Sequence, residues 1–120
     1  MAHKKILVID DAEFNRDLLV QLLTDEYQVI VAADGEQGLQ KAAQEQPDLI
    51  LLDLGLPGLS GWEASRRFKT DNALKHIPII AVTSHAMVGD EARARAAGCD
   101  DYLAKPIDEN ELLAKIRKYI

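Results

Sequence analysis

The sequence predicts an α/β fold: a single (βα)5 domain built on a doubly wound, five-stranded parallel sheet. Three observations predict it. Five short runs along the chain are apolar without alternation, as strands covered on both faces must be. Longer stretches with helical spacing lie between them. Glycine and proline mark the joints, at Asp34-Gly35, Pro47, Pro57-Gly58, Gly61, Pro78, Gly98 and Pro106, and keep the connections short. Strict alternation with short connections places helices on both faces of a parallel sheet. A chain of 120 residues is enough to bury one ordinary core.

The first strand is expected at residues 6–9 and stops at Asp10-Asp11. A helix follows from near Phe14, which Asp11 could cap. Phe14, Leu18 and Leu22, with Leu19 and Leu23 beside them, are expected to form its apolar face. The second strand is expected at 29–32, and the second helix should turn Leu39, Ala42 and Ala43 inward. The third strand, 49–52, ends in Asp53, and the helix after it carries a less clean face of Trp62, Ser65 and Phe68. The fourth strand, 79–82, ends in Thr83-Ser84. Its helix is weak and alanine-rich, marked by Ala92, Ala96 and Ala97. The fifth strand is short, 102–104, and Lys105-Pro106 follows. The last helix carries Leu112, Leu113, Ile116 and Ile120, with Asp108 and Glu111 spaced as a capping box. It runs to the final residue, so one domain over 1–120 is expected, with no output domain in this chain.

Composition narrows the function. Acidic residues outnumber basic ones, 20 to 14, for a net charge of -6, and the basic residues are scattered. Direct nucleic-acid binding wants a basic face, so it is not expected. A single cysteine, Cys99, rules out an internal disulfide and a cysteine-rich metal site. No segment approaches the ~20 apolar residues of a membrane helix. A soluble, cytoplasmic protein is the expectation.

Ligands of such sheets bind beyond the carboxyl ends of the strands. There the topology gathers Asp10, Asp11, Asp53, Thr83 and Lys105. Each alone could be a turn former or a cap. Three carboxylates at one rim repel one another, and a cation settles that conflict. Hard oxygen donors suit Mg2+, whereas His3, His76, His85 and Cys99 lack zinc spacing. An aspartate can attack phosphorus to form an acyl phosphate, with metal and lysine as the electrostatic clamp.

Four motifs then carry a resemblance over essentially the whole chain: Ile-Leu-Val-Ile-Asp-Asp at 6–11, Asp53-Leu-Gly-Leu-Pro57, Ala81-Val-Thr-Ser84 and Asp101-Tyr-Leu-Ala-Lys-Pro106. In this order and spacing the sequence resembles the receiver domains of two-component response regulators. The segment from Ala86 to Tyr102 looks most like stand-alone cell-cycle phosphorelay regulators and hybrid histidine kinases. The resemblance implies a flavodoxin-like sheet, with Asp53 as phosphoacceptor and Mg2+ held by Asp10, Asp11, Asp53 and the Gly55 carbonyl. It implies that Thr83 and Lys105 contact the phosphoryl oxygens, that Tyr102 turns inward as Thr83 moves, and that the Lys105-Pro106 bond is cis. The implied partners are a histidine kinase or histidine phosphotransfer protein and a downstream protein met through the fourth helix, fifth strand and fifth helix. A monomer is expected, dimerising if at all on phosphorylation, that signals without turning over an outside substrate.

Some positions depart from the family pattern or invite a blander reading. Gly55 removes a side chain that would lean over the phosphoryl group, and His85 is the candidate to cover the same space. Ser60 stands where relatives often have aspartate, and 25–27 lacks a common glycine. Trp62 is expected as a partly buried helix residue, Cys99 as a small buried filler and His76 as a loop residue. Arg93 and Arg95 carry some weight as partner contacts. Two other classes fit the residues less well. A haloacid-dehalogenase-like phosphohydrolase wants a second acid two residues after its nucleophile, where Gly55 stands. A flavin-binding module wants a phosphate-cradling loop where Asp10-Asp11 stands.

Overall fold

Alternate residues along each central strand face opposite sides of the sheet, and both sides are buried. Leu7, Ile9, Ile50, Leu52, Ile79 and Ala81 join one core; Ile6, Val8, Leu49, Leu51, Ile80 and Val82 join the other. This double burial is the physical reason the runs read as apolar without alternation. Each such leucine or isoleucine contributes about 2 kcal/mol through burial.

The computed structural model describes residues 3–84 and 89–120. Its strands are β1 (Lys5–Ile9), β2 (Gln28–Ala32), β3 (Leu49–Asp53), β4 (Ile79–Thr83) and β5 (Asp101–Ala104), and its helices α1 (Glu13–Leu23), α2 (Gly35–Glu45), α3 (Gly61–Thr70), α4 (Asp90–Ala96) and α5 (Glu109–Tyr119). The sheet runs β2-β1-β3-β4-β5, and every pairing is parallel. Helices α2, α3 and α4 cover one face, through Ala42, Ala64, Phe68 and Ala94. Helices α1 and α5 cover the other, through Leu19, Leu23, Leu112 and Ile116. The order reverses at β1, so the connections after β1 and β2 leave on opposite faces. That reversal opens a crevice at the carboxyl ends of β1 and β3.

The helix starts follow capping chemistry. Asp34, Ser60 and Asp108 accept hydrogen bonds from the amides of Gln37, Glu63 and Glu111. The serine at 60 is therefore the side-chain cap of α3.

Three expectations about helix faces need correction. On α1 the buried pair is Leu19 and Leu23, while Phe14 is 78% and Leu18 38% exposed. On α4 the buried residue is Ala94, followed by Ala97 just beyond the helix; Ala92 and Ala96 face outward. On α2, Ala43 is exposed and Gly35 and Gly38 take the inward positions beside Ala42. A Cβ on Gly38 would stand 2.4 Å from Ile9 Cδ1, so glycine is what lets α2 lie directly on β1.

Candidate functional site

Four of the five strands each deliver a group to the crevice. Asp10 follows β1, its amide donating to the Ala32 carbonyl at 3.1 Å. Asp53 is the last residue of β3 and Thr83 the last of β4. Lys105 follows β5, its amide tied to the Thr83 carbonyl at 2.7 Å, and the Lys105-Pro106 peptide is cis. Asp10, Asp53 and Thr83 are buried, at 3, 8 and 7% exposure, while Asp11 is exposed.

The side chains converge. Carboxylate oxygens of Asp10, Asp11 and Asp53 lie within 4.8 Å of one another. Lys105 Nζ bridges two of them, 3.1 Å from Asp10 Oδ2 and 3.4 Å from Asp53 Oδ2. Against three carboxylates the single ammonium leaves an excess of negative charge. That excess and the all-oxygen donor set suit a hard divalent cation.

Burial pushes the Asp53 carboxyl above its ordinary range and the Asp10 charge adds to this; the Gly55 amide, 2.8 Å from Asp53 Oδ1, and Lys105 pull the other way. Burial would lower Lys105, but its hydrogen bonds and charge contacts with Asp10 and Asp53 outweigh it and raise the ammonium pKa. Lys105 is therefore a firm cation beside a carboxylate that is reluctant to ionise.

Two glycines shape the pocket in different ways. At Gly61 a Cβ would fall 2.3 Å from the Asp53 carbonyl oxygen and 2.5 Å from Leu54 Cα, so α3 begins directly against the Asp53 backbone. At Gly55 a Cβ would meet Asp53 Oδ1 alone, at 3.5 Å, so a side chain has room there. His85 lies outside the described residues.

Tyr102 pairs in register with Ala81, two residues before Thr83. Its ring packs on the α2–α3–α4 core, and its buried hydroxyl has no hydrogen-bond partner among the described residues. Burial, and then the charges of Asp90 and Glu91, raise its pKa. Trp62 is half-buried, with the Arg93 guanidinium 4.2 Å from its ring centre. Arg95 donates to the Asp100 carbonyl at 2.7 Å, so both arginines expected as partner contacts are engaged within the chain. Cys99 is buried against Ser65, and burial raises its thiol pKa.

Three residues escaped the sequence reading. Gly61 follows Ser60 as an apparent turn residue, and nothing local betrays its contact with Asp53. Arg16 donates through Nη1 to the Asp10 carbonyl at 2.8 Å. Asp101, 3% exposed, gathers Lys115 at 2.9 Å, Tyr119 at 3.1 Å, Arg95 at 3.6 Å and Lys118 at 3.8 Å.

Three carboxylates and a lysine gathered at the switch point of a β2-β1-β3-β4-β5 sheet define an α/β domain with an acidic, cation-ready rim. The comparison with known families agrees: residues 6–117 match the response regulator receiver domain, and the chain belongs to that family. It is 40% identical over 118 residues to the polar-differentiation response regulator DivK of Brucella anthropi, covering 98% of this chain and 96% of that one. Among solved structures it is similar to the chemotaxis protein CheY4 of Vibrio cholerae (TM-score 0.93, 28% identity, 99 and 100% of the two chains). It is also similar to the receiver domain of a Pseudomonas aeruginosa sensor histidine kinase (TM-score 0.90, 34% identity, 98% of each chain), which has a magnesium ion coordinated in its active-site cleft. The chain is thus a receiver domain of two-component signalling, a phosphorylation-dependent switch rather than a conventional enzyme. No helix among the described residues is long and apolar enough to cross a membrane.

Proposed function

We propose that Asp53 accepts a phosphoryl group from a phosphohistidine, carried by a histidine kinase or a histidine phosphotransfer protein, in a cytoplasmic relay. The observation that carries this reading is the meeting of three carboxylates within 4.8 Å, with Lys105 bridging Asp10 and Asp53. A carboxylate oxygen of Asp53 attacks phosphorus as the P–N bond breaks, and the imidazole nitrogen leaves with the electron pair. The product is an acyl phosphate on Asp53.

Asp10, Asp11, Asp53 and the Gly55 carbonyl would hold Mg2+, which when bound neutralises charge on the transferring phosphoryl oxygens. Lys105 stands ready to pair with those oxygens, drawn from Asp10 and Asp53, which it bridges before transfer. Thr83, at the end of β4, supplies the hydroxyl on the same rim. Its movement toward the phosphoryl group would free space for Tyr102, whose buried hydroxyl gains by finding a partner. The α4–β5–α5 face then reports the change to a downstream protein. A phosphohydrolase of the haloacid dehalogenase type is disfavoured because glycine, not an acid, stands two residues after Asp53.

The same reading gives Gly55 and His85 a tuning role. With glycine beside Asp53 Oδ1, water reaches the acyl phosphate on that flank, and His85 is proposed to cover part of the space.

Acetyl phosphate and Mg2+ followed by intact-protein mass measurement test the assignment. A gain of ~80 Da is expected, absent in Asp53→Asn and in EDTA. A gain that persists in Asp53→Asn overturns it. In the decay phase, Gly55→Met should lengthen the phosphoprotein lifetime several-fold and His85→Ala should shorten it, whereas unchanged lifetimes in both remove the tuning role.

A further inference from the structure

The acid pair lies on the turn that joins β1 to α1. Helix α1 begins after Ala12, which offers no side-chain cap, so the usual clamp on a strand-to-helix turn is missing. Two links take its place. Asp10 Oδ1 accepts from the Ala12 amide at 2.9 Å, and Arg16, one turn into α1, donates through Nη1 to the Asp10 carbonyl at 2.8 Å. The first link uses a carboxylate, which a cation and Lys105 also contest, with Lys105 Nζ 3.1 Å from Asp10 Oδ2. The second uses the main-chain carbonyl. It does not depend on where the metal, the phosphoryl group or Lys105 stands.

We propose that Arg16 is a positioning residue for the metal and phosphoryl site, tying the Asp10 carbonyl to α1 so that Asp10 and Asp11 keep their facing through the phosphorylation cycle. The proposal rests on the Mg2+ reading of Asp10, Asp11 and Asp53. Arg16 touches no reacting atom. Its guanidinium acts on Asp10, and Asp10 on the cation, the arrangement by which outer residues set ligand orientation. A bare charge in the same place would do the reverse, since a cation beside an anionic cluster weakens binding of another cation. The two roles therefore predict opposite signs for removal of the side chain.

The test is a Mg2+ titration of the whole chain, followed by the amide NMR shifts of Ala12 and Gly55, with melts in EDTA alongside. Arg16→Met keeps the length and helix preference but loses donor and charge; Arg16→Lys keeps both. Positioning expects Mg2+ binding about tenfold weaker in Arg16→Met and largely recovered in Arg16→Lys. Equal or tighter binding in Arg16→Met, or no recovery in Arg16→Lys, overturns it, as does a lowered melting temperature with unchanged Mg2+ affinity. Should Arg16→Met not fold, Arg16→Gln takes its place with the same expectation. A wild-type chain whose Ala12 and Gly55 amides do not respond to Mg2+ overturns the metal reading itself, an outcome distinct from the others.

Discussion

Strand β5 has a charge cluster built on buried carboxylates at each end. At its start, Asp101 faces Lys115, Arg95 and Lys118, with the Tyr119 hydroxyl and the Tyr102 amide completing its hydrogen bonds. Past its end, Lys105 faces Asp10 and Asp53 with Asp11 close by. Among the described residues, one cluster has one anion and three cations, the other three anions and one cation. The Asp101 carboxyl is consequently held below its ordinary range, hydrogen bonds from Lys115, Tyr102 and Tyr119 outweighing the burial that would raise it. Asp53 goes the opposite way, burial dominating over a single lysine and a single amide. The first cluster is closed and joins β5, α4 and α5. The second is left open to a further cation.

The comparison breaks most visibly at Asp101. Asp101→Asn should destabilise the fold by about 2 kcal/mol at neutral pH, because the buried carboxylate loses its charge-assisted hydrogen bonds from Lys115 and Tyr119, while the exposed Arg95 and Lys118 return to solvent at little cost. The sign with pH follows from the lowered pKa. Stability from Asp101 is present above the unfolded carboxylate value of about 3.9 and is lost as pH falls through the still lower folded value. The deficit of the variant should therefore shrink in acid. Urea melts at pH 7 and pH 3 check this, and a deficit no smaller at pH 3 than at pH 7 contradicts the ionic account.

Lys105→Met probes the other end and should cost a similar amount, about 2 kcal/mol, since it leaves the buried Asp10 and Asp53 without their shared cation. Here the two clusters part company. Millimolar Mg2+ should restore most of the loss in Lys105→Met and none of it in Asp101→Asn. Thermal melts with and without Mg2+ measure both, and equal responses would erase the distinction between an open and a closed cluster.

The open cluster was legible in the sequence and the closed one was not. Asp10, Asp53, Thr83 and Lys105 each sit at a strand end, and a parallel sheet brings strand ends together whatever the details of packing. Asp101 sits at a strand start and meets α4 and α5 through Arg95, Lys115 and Lys118, whose facing depends on helix rotation. Rotation was the weak point elsewhere too. Helix α1 carries more apolar residues than one face can take, so Phe14 and Leu18 read as core although Leu19 and Leu23 fill it. In α4, alternating alanine and arginine give no helical period from which Ala94 could be singled out. Arg16 reaches a main-chain carbonyl six residues back, and a bond to backbone leaves no trace in side-chain pattern.

The smallest effect has the opposite sign. Burial raises the pKa of Asp53 in the open cluster, so its ionised form opposes folding. A group raised in this way contributes stability that is full below the unfolded value near 3.9 and is lost as pH rises through the higher folded value. Asp53→Asn keeps the shape, removes the charge and should stabilise the metal-free chain at pH 7 by about 1 kcal/mol. The gain should vanish at pH 3, where the wild-type carboxyl is protonated. It should also reverse in Mg2+, because the cation stabilises the wild type, in which all three acid residues are carboxylates, more than the variant. Melting curves of both proteins at two pH values, with and without Mg2+, give the four comparisons. A variant less stable than wild type in EDTA at pH 7 would mean that Lys105 and the Gly55 amide already balance the cluster, and the open end of β5 would then need no cation.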